Sequence, residues 1–174
     1  YVEQTTIGEV DIEGNSAAVG GGLYLTSDTT ISGGRISGNS AQSEGGGAAM
    51  FGGGGDSGDT GPTPESGGGG EGRPSVYVLD GVEVADNTAQ DGGGLYLDGG
   101  MLTVVSGAVL RNIASREGGG ADLVGTSSLT SLQSDWGTDA DDNVPGDVFA
   151  GTELVGYGAD ETFDCIADAC TPTP

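Results

Sequence analysis

The chain has 174 residues, enough for one domain, and carries 27 Asp and Glu against 4 basic residues, a net charge of −23. The basic residues are Arg35, Arg73, Arg111 and Arg116, so lysine is absent, and so is histidine. Nucleic acid and anionic membrane both need a basic footprint, which this composition excludes; no apolar run is long enough to insert in a membrane.

Read in order, the chain repeats itself. A first unit, Thr5–Asp28, carries Ile7, Ile12, Asn15, Ala17 and then Gly20-Gly21-Gly22 before Leu23-Tyr24-Leu25. A second, Thr29–Phe51, carries Ile31, Ile36, Asn39, Ala41 and Gly45-Gly46-Gly47 before Ala48-Ala49-Met50. Next comes a Gly, Pro, Ser and acid tract, 52–74, with almost nothing to bury, and it reads as a loop leaving one corner. A third unit, Ser75–Asp98, repeats the pattern with Leu79, Val84, Asn87, Ala89, Gly92-Gly93-Gly94 and Leu95-Tyr96-Leu97. A fourth, Gly99–Val124, does so with Val104, Val109, Asn112, Ala114, Gly118-Gly119-Gly120 and Ala121-Asp122-Leu123.

The asparagines are 24 residues apart at Asn15 and Asn39 and 25 apart at Asn87 and Asn112. Apolar residues recur at fixed offsets from each asparagine, so one environment is met once per unit. Segments such as Val82-Glu83-Val84 alternate with period two, which is the signature of strands. About three short strands fit in 24–25 residues. Units that each present one apolar edge must stack to bury it. The expected fold is all-β, a parallel β-solenoid with a C-terminal cap. The period also explains 38 glycines. The triplets ending at Gly22, Gly47, Gly94 and Gly120 permit positive φ and close backbone approach at a corner. Asn15, Asn39, Asn87 and Asn112 suit a left-handed turn and could hydrogen-bond up the column. Both motifs are structural.

After Val124 the pattern decays, and 125–174 reads as a degenerate last coil and cap, with 1–124 as the coils proper. Ser128–Leu132, Val148-Phe149 and Leu154-Val155 are its expected strands. Cys165 and Cys170 would form a small disulfide pinning it in an exported chain. No signal peptide is visible and the chain opens on Tyr1, as a processed mature chain or an excised piece would.

Ile12-x-x-Asn15, Ile36-x-x-Asn39, Val84-x-x-Asn87 and Val109-x-x-Asn112 keep the spacing of the Phe-x-x-Asn motif. The glycine triplets followed by Leu or Ala resemble Gly-Gly-Ala-aliphatic. Over about 7–124 the chain thus resembles the chlamydial-type polymorphic outer-membrane protein repeats, with an aliphatic in place of the aromatic. That resemblance implies a right-handed parallel β-helix of the pectate-lyase-like type and an exported, surface-associated protein, often an adhesin, and it transfers no catalytic residue.

Polysaccharide hydrolases on β-helices use an aspartate cluster with histidine and a basic pair, and this chain has neither histidine nor lysine. Lyases use calcium carboxylates and an arginine base; here Arg35 falls in a column with Asp11 and Glu83, and Arg111 beside Asp86, which reads as pairing between coils. Asp139, Asp141 and Asn143 have the spacing of a calcium loop, although Val144 and Ala150 stand where Gly and Glu belong. Tyr24 and Tyr96 share an outward column suited to stacking on sugars or proteins. The expected protein is therefore a non-enzymatic, extracellular or cell-surface β-solenoid. Its role is structural or adhesive, with end-to-end self-association into a filament and a surface glycan or protein as its partners. It has no cofactor beyond a candidate calcium ion. The alternatives are a polysaccharide lyase and a calcium-dependent carbohydrate-binding module.

Overall fold

The computed structural model describes residues 4–52, 73–166 and 169–173. Stacked parallel coils make a β-solenoid of about 5 turns. The first coil holds β1 (Thr5–Ile7), β2 (Val10–Glu13), β3 (Ser16–Ala17) and β4 (Leu23–Leu25). The second holds β5 (Thr29–Ser32), β6 (Gly34–Ser37), β7 (Ser40–Ala41) and β8 (Ala48–Phe51). The third holds β9 (Val76–Asp80), β10 (Glu83–Ala85), β11 (Thr88–Asp91) and β12 (Leu95–Asp98). The fourth holds β13 (Met101–Val105), β14 (Ala108–Leu110), β15 (Ile113–Glu117) and β16 (Ala121–Val124). Corresponding strands pair in parallel along the axis and form four sheets.

Each coil thus has four strands rather than the three expected from the sequence. The extra strand lies between the asparagine and the glycine triplet. Ser16–Ala17 and Ser40–Ala41 are only two residues long, too short for an alternation to appear. They become strands because the coil above and below supplies their partners.

A fifth coil follows inside the segment expected to be degenerate. β17 (Ser128–Ser134) lies parallel on β13. Asp135 then bridges Ala108, Val144 bridges Ile113, and β18 (Val148–Ala150) lies on β16. Growth stops where the strands turn antiparallel. β19 (Glu153–Val155) folds back on β18, β20 (Glu161–Ile166) on β17, and β21 (Ala169–Pro172) on β20. Cys165 and Cys170 face each other across the last pair and are joined by a disulfide. Antiparallel strands no longer offer the register a further parallel coil would need.

Most of the 52–74 tract lies outside the described residues. Its flanks are informative nonetheless. β9, β10, β11 and β12 pair directly with β5, β6, β7 and β8, so no coil lies between the second and the third.

The interior is a set of ladders. Ile12, Ile36, Val84 and Val109 are aligned, as are Ile7, Ile31, Leu79 and Val104. Ile36 and Val84 are fully buried, while Arg35 and Glu83 face outward and pair at 3.2 Å. Ile36→Ala is expected to lower stability by about 2–5 kcal/mol in urea unfolding, because two rigid coils hold the cavity open. A loss under ~1 kcal/mol would mean that the stack closes over the gap.

The two ends differ. At the C-terminal end Trp136 and Phe163 are fully buried, with ring centroids 5.3 Å apart, and Tyr157 stacks on Phe163 at 3.6 Å. Trp136 donates its indole N–H to Ser131 at 2.9 Å, so a large apolar ring closes the core with its polar atom satisfied. At the other end Ile7, Ile12, Leu23 and Leu25 of the first coil are only partly covered by the described residues.

Candidate functional site

The asparagine column is a continuous ladder. Asn15 donates its backbone N–H and its side-chain amide to Asn39 Oδ1, at 2.9 and 3.1 Å. Asn39 does the same to Asn87, Asn87 to Asn112, and Asn112 to Asn143. From the second rung on, each amide also donates to a backbone carbonyl of the coil before, such as Ile36 O for Asn87 at 2.9 Å. The left-handed turn expected at the asparagine sits one residue earlier, at Gly14, Gly38, Asp86 and Arg111. The asparagine is therefore selected by its amide.

The glycine triplet divides its work. The first member takes positive φ, as at Gly20, Gly45, Gly92 and Gly118. The second and third have no room for a side chain. A Cβ on Gly47 or Gly94 would stand 2.7 Å from the carbonyl oxygen of the equivalent glycine one coil on, and one on Gly120 2.5 Å from Asp147 O.

The ladder corrects the calcium loop read from the sequence. Asn143 is buried, and its Oδ1 already accepts two N–H groups from Asn112. Asp139 and Asp141 lie on an exposed 3-10 turn, and Asp141 pairs with Arg111 at 2.9 Å. An oxygen spent inside the column cannot join two exposed carboxylates. Asn143 is instead the fifth rung, and Asp147 ends the ladder by accepting its amide at 2.7 Å.

Burial pushes the Asp147 carboxyl up to about 6, against the lowering effect of N–H groups from Asn143 and Tyr157. The native state then holds this proton up to about pH 6, whereas an unfolded aspartate releases it near 4. Between those values the folded chain binds more protons, so stability falls as pH rises and is regained on acidification. Urea midpoints should be higher at pH 4.5 than at 7, with the Asp147 carboxyl carbon titrating near 6 by NMR. A midpoint for Asp147 at or below about 4 would contradict this.

All four arginines are ion-paired. Arg35 meets Glu83 and Asp86, Arg111 meets Asp86 and Asp141, Arg73 meets Asp28, and Arg116 meets Asp91. The Arg35 and Arg111 pairs lie along the second sheet, as their positions in the repeat predict.

What remains is the outer face of the fourth sheet. Tyr24, Ala49, Tyr96, Asp122 and Phe149 occupy one outward column, coil by coil. The small Ala49 leaves a gap between the tyrosines, and Phe51 fills it. Its ring stacks on Tyr24 at 5.0 Å and leans on Tyr96 at 5.9 Å. Phe51 was legible as the residue two beyond Ala49, on the same face of its strand. Tyr24 is 44% exposed and Tyr96 half-buried.

Beside the aromatics lies an acidic cluster at the corner between the third and fourth sheets. Asp91 and Glu117 are register partners at the ends of β11 and β15. Asp122, on β16, lies across the glycine turn from Glu117. One carboxylate oxygen from each of the three lies within 4.8 Å of the others. Arg116 holds Asp91 through Nε at 3.0 Å and Nη2 at 2.8 Å. Burial first, then the charges of Asp91 and Glu117, pushes the Asp122 carboxyl up to about 7. No single coil signals this cluster, because its members sit at different offsets from the asparagine. Compared with family models, curated proteins and solved structures, the chain finds no match in any of the three.

Proposed function

We propose that the chain is a non-enzymatic adhesive or structural β-solenoid that works outside the cell and presents its fourth sheet to a surface glycan or protein. The observation that carries this reading is the continuous aromatic strip Tyr24–Phe51–Tyr96. Rings mounted on a rigid strand ladder form a platform at little entropic cost, and such platforms stack on sugar faces and apolar protein surfaces. The disulfide favours an oxidising compartment. Among the described residues no helix is long and apolar enough to cross a membrane. The likeness to polymorphic outer-membrane repeats points the same way. The pairing of every arginine weighs against an arginine base of the lyase kind.

Filament growth, the assembly expected from the repeat, needs two open ends. Trp136, Phe163 and the antiparallel strands cover the C-terminal one. The proposal therefore places adhesion on the side of the solenoid and not at its ends. The test is a glycan and cell-surface binding screen of the purified chain beside Tyr24→Ala/Phe51→Ala. Binding that the double variant loses, with an unchanged fold by circular dichroism, supports the platform. Cleavage of any polysaccharide in the same screen, or binding indifferent to both substitutions, sinks it.

A further inference from the structure

We infer that Asp91, Glu117 and Asp122 hold one divalent cation, with calcium the ion that fits best. Three observations carry this beyond the adhesive reading, and none depends on it. The first is convergence: the three carboxylates bring oxygens within 4.8 Å of one another. Opposite ligands of a calcium ion stand about 5 Å apart, so the set is compact enough to share one ion.

The second is Asp122 itself. It is 2% exposed, and its Oδ1 is buried with no hydrogen-bond partner among the described residues. A buried carboxylate oxygen without a donor is costly, and native folds rarely leave one. One carboxylate oxygen of Asp122 lies within 4.8 Å of those of Asp91 and Glu117, so a cation held by the three would satisfy this side chain. The column gives no packing reason for an acid, since the equivalent positions are Tyr24, Ala49, Tyr96 and Phe149.

The third is charge. Three carboxylates and the Arg116 guanidinium leave −2 when all are ionised, which matches a divalent ion. Oxygen donors alone favour calcium or magnesium over zinc or copper. An irregular set fixed by strand register suits calcium, since magnesium demands near-ideal octahedral geometry. Arg116 holds both oxygens of Asp91 from a side chain that is 58% exposed. It therefore competes with the ion for Asp91, so removing its charge should tighten binding.

The experiment uses the full chain, stripped with EDTA and desalted. Calcium and magnesium are titrated by calorimetry, and terbium by luminescence sensitised through Tyr96, the register neighbour of Asp122. Thermal midpoints are read with calcium chloride and with sodium chloride at equal ionic strength. The expected result is one saturable calcium site at or below about 1 mM and a midpoint rise beyond the salt control. Asp122→Asn should weaken binding at least tenfold, and Glu117→Gln should act likewise from a half-exposed position. Arg116→Gln should tighten it several-fold, and Asp139→Asn on the exposed turn should change nothing. Asp122→Asn removes a buried charge, so it should fold at least as well as the parent without metal. The inference is overturned if calcium affinity survives both Asp122→Asn and Glu117→Gln. It is equally overturned if sodium chloride reproduces the whole stabilisation, or if Asp139→Asn abolishes binding. Failure of the glycan screen with intact calcium binding would remove the adhesive reading alone.

Discussion

Gly93→Ala is expected to destabilise the native stack severely. Gly93 has no positive φ, so alanine suits its backbone conformation. The obstacle is space. A Cβ there would stand 2.5 Å from the backbone carbon of Ile113 and 2.6 Å from the carbonyl oxygens of Gly119 and Ile113. Those atoms belong to the next coil's main chain and cannot rotate away. Relief requires the third and fourth coils to part at this corner. That breaks the bonds from the Gly93 N–H to Gly118 and from the Gly94 N–H to Gly119. Overpacking a core against side chains costs about 1–3 kcal/mol, and against fixed backbone the loss should exceed that range. Set against a total of about 5–15 kcal/mol for an ordinary domain, this is a large share of the stability. Gly8→Ala is the control, since a Cβ there meets nothing within 4 Å. Urea midpoints of the two variants decide the matter. Equal midpoints would show that the corner yields and that the triplet is not a steric requirement.

Asn87→Ala should be the next most damaging change, by about 3–5 kcal/mol. Its Oδ1 accepts the N–H and the amide of Asn39, at 2.9 and 3.1 Å. Its own amide donates to Asn112 Oδ1 and to Ile36 O, both at 2.9 Å. Truncation leaves two donors and a carbonyl unpaired in a place water does not reach, and each buried orphan costs about 1–3 kcal/mol. Asn15→Ala probes the same column at its exposed end. Asn15 only donates, so its loss orphans no buried donor and should cost about 1 kcal/mol. The comparison separates two accounts of the asparagine. A turn residue would matter equally in every coil, whereas a ladder rung matters most in the middle. Equal losses at 15 and 87 would restore the turn account.

Much of the fold was legible in the sequence, for a reason specific to repeats. Identical coils stack in register, so one side chain meets its own counterpart above and below. A column such as Ile12, Ile36, Val84 and Val109 is therefore written directly as a spacing. The outward pairing of Arg111 with Asp86 followed from the same arithmetic. The fifth coil was legible only as a degenerate one, through Ser128–Leu132 and Val148-Phe149, because its offsets change. Asn143 lies 31 residues after Asn112 rather than 25, and a single glycine, Gly146, stands before Asp147-Val148 in place of a triplet. Without its column, Asn143 looked like a member of an acidic loop.

The sequence by itself determined the period, the columns and the all-β class, because these depend only on neighbours one coil away. It also marked Cys165 and Cys170 as a pair. The tertiary structure alone decided three further matters. It added a fourth strand per coil, since a two-residue strand exists only through partners supplied by stacking. It moved Asn143 from a surface loop into the buried ladder, since hydrogen-bond capacity is allotted by contact and not by spacing. It brought Asp91, Glu117 and Asp122 together at one corner, since the closing of the coil joins the end of one strand to the start of the next, and the repeat never records that distance.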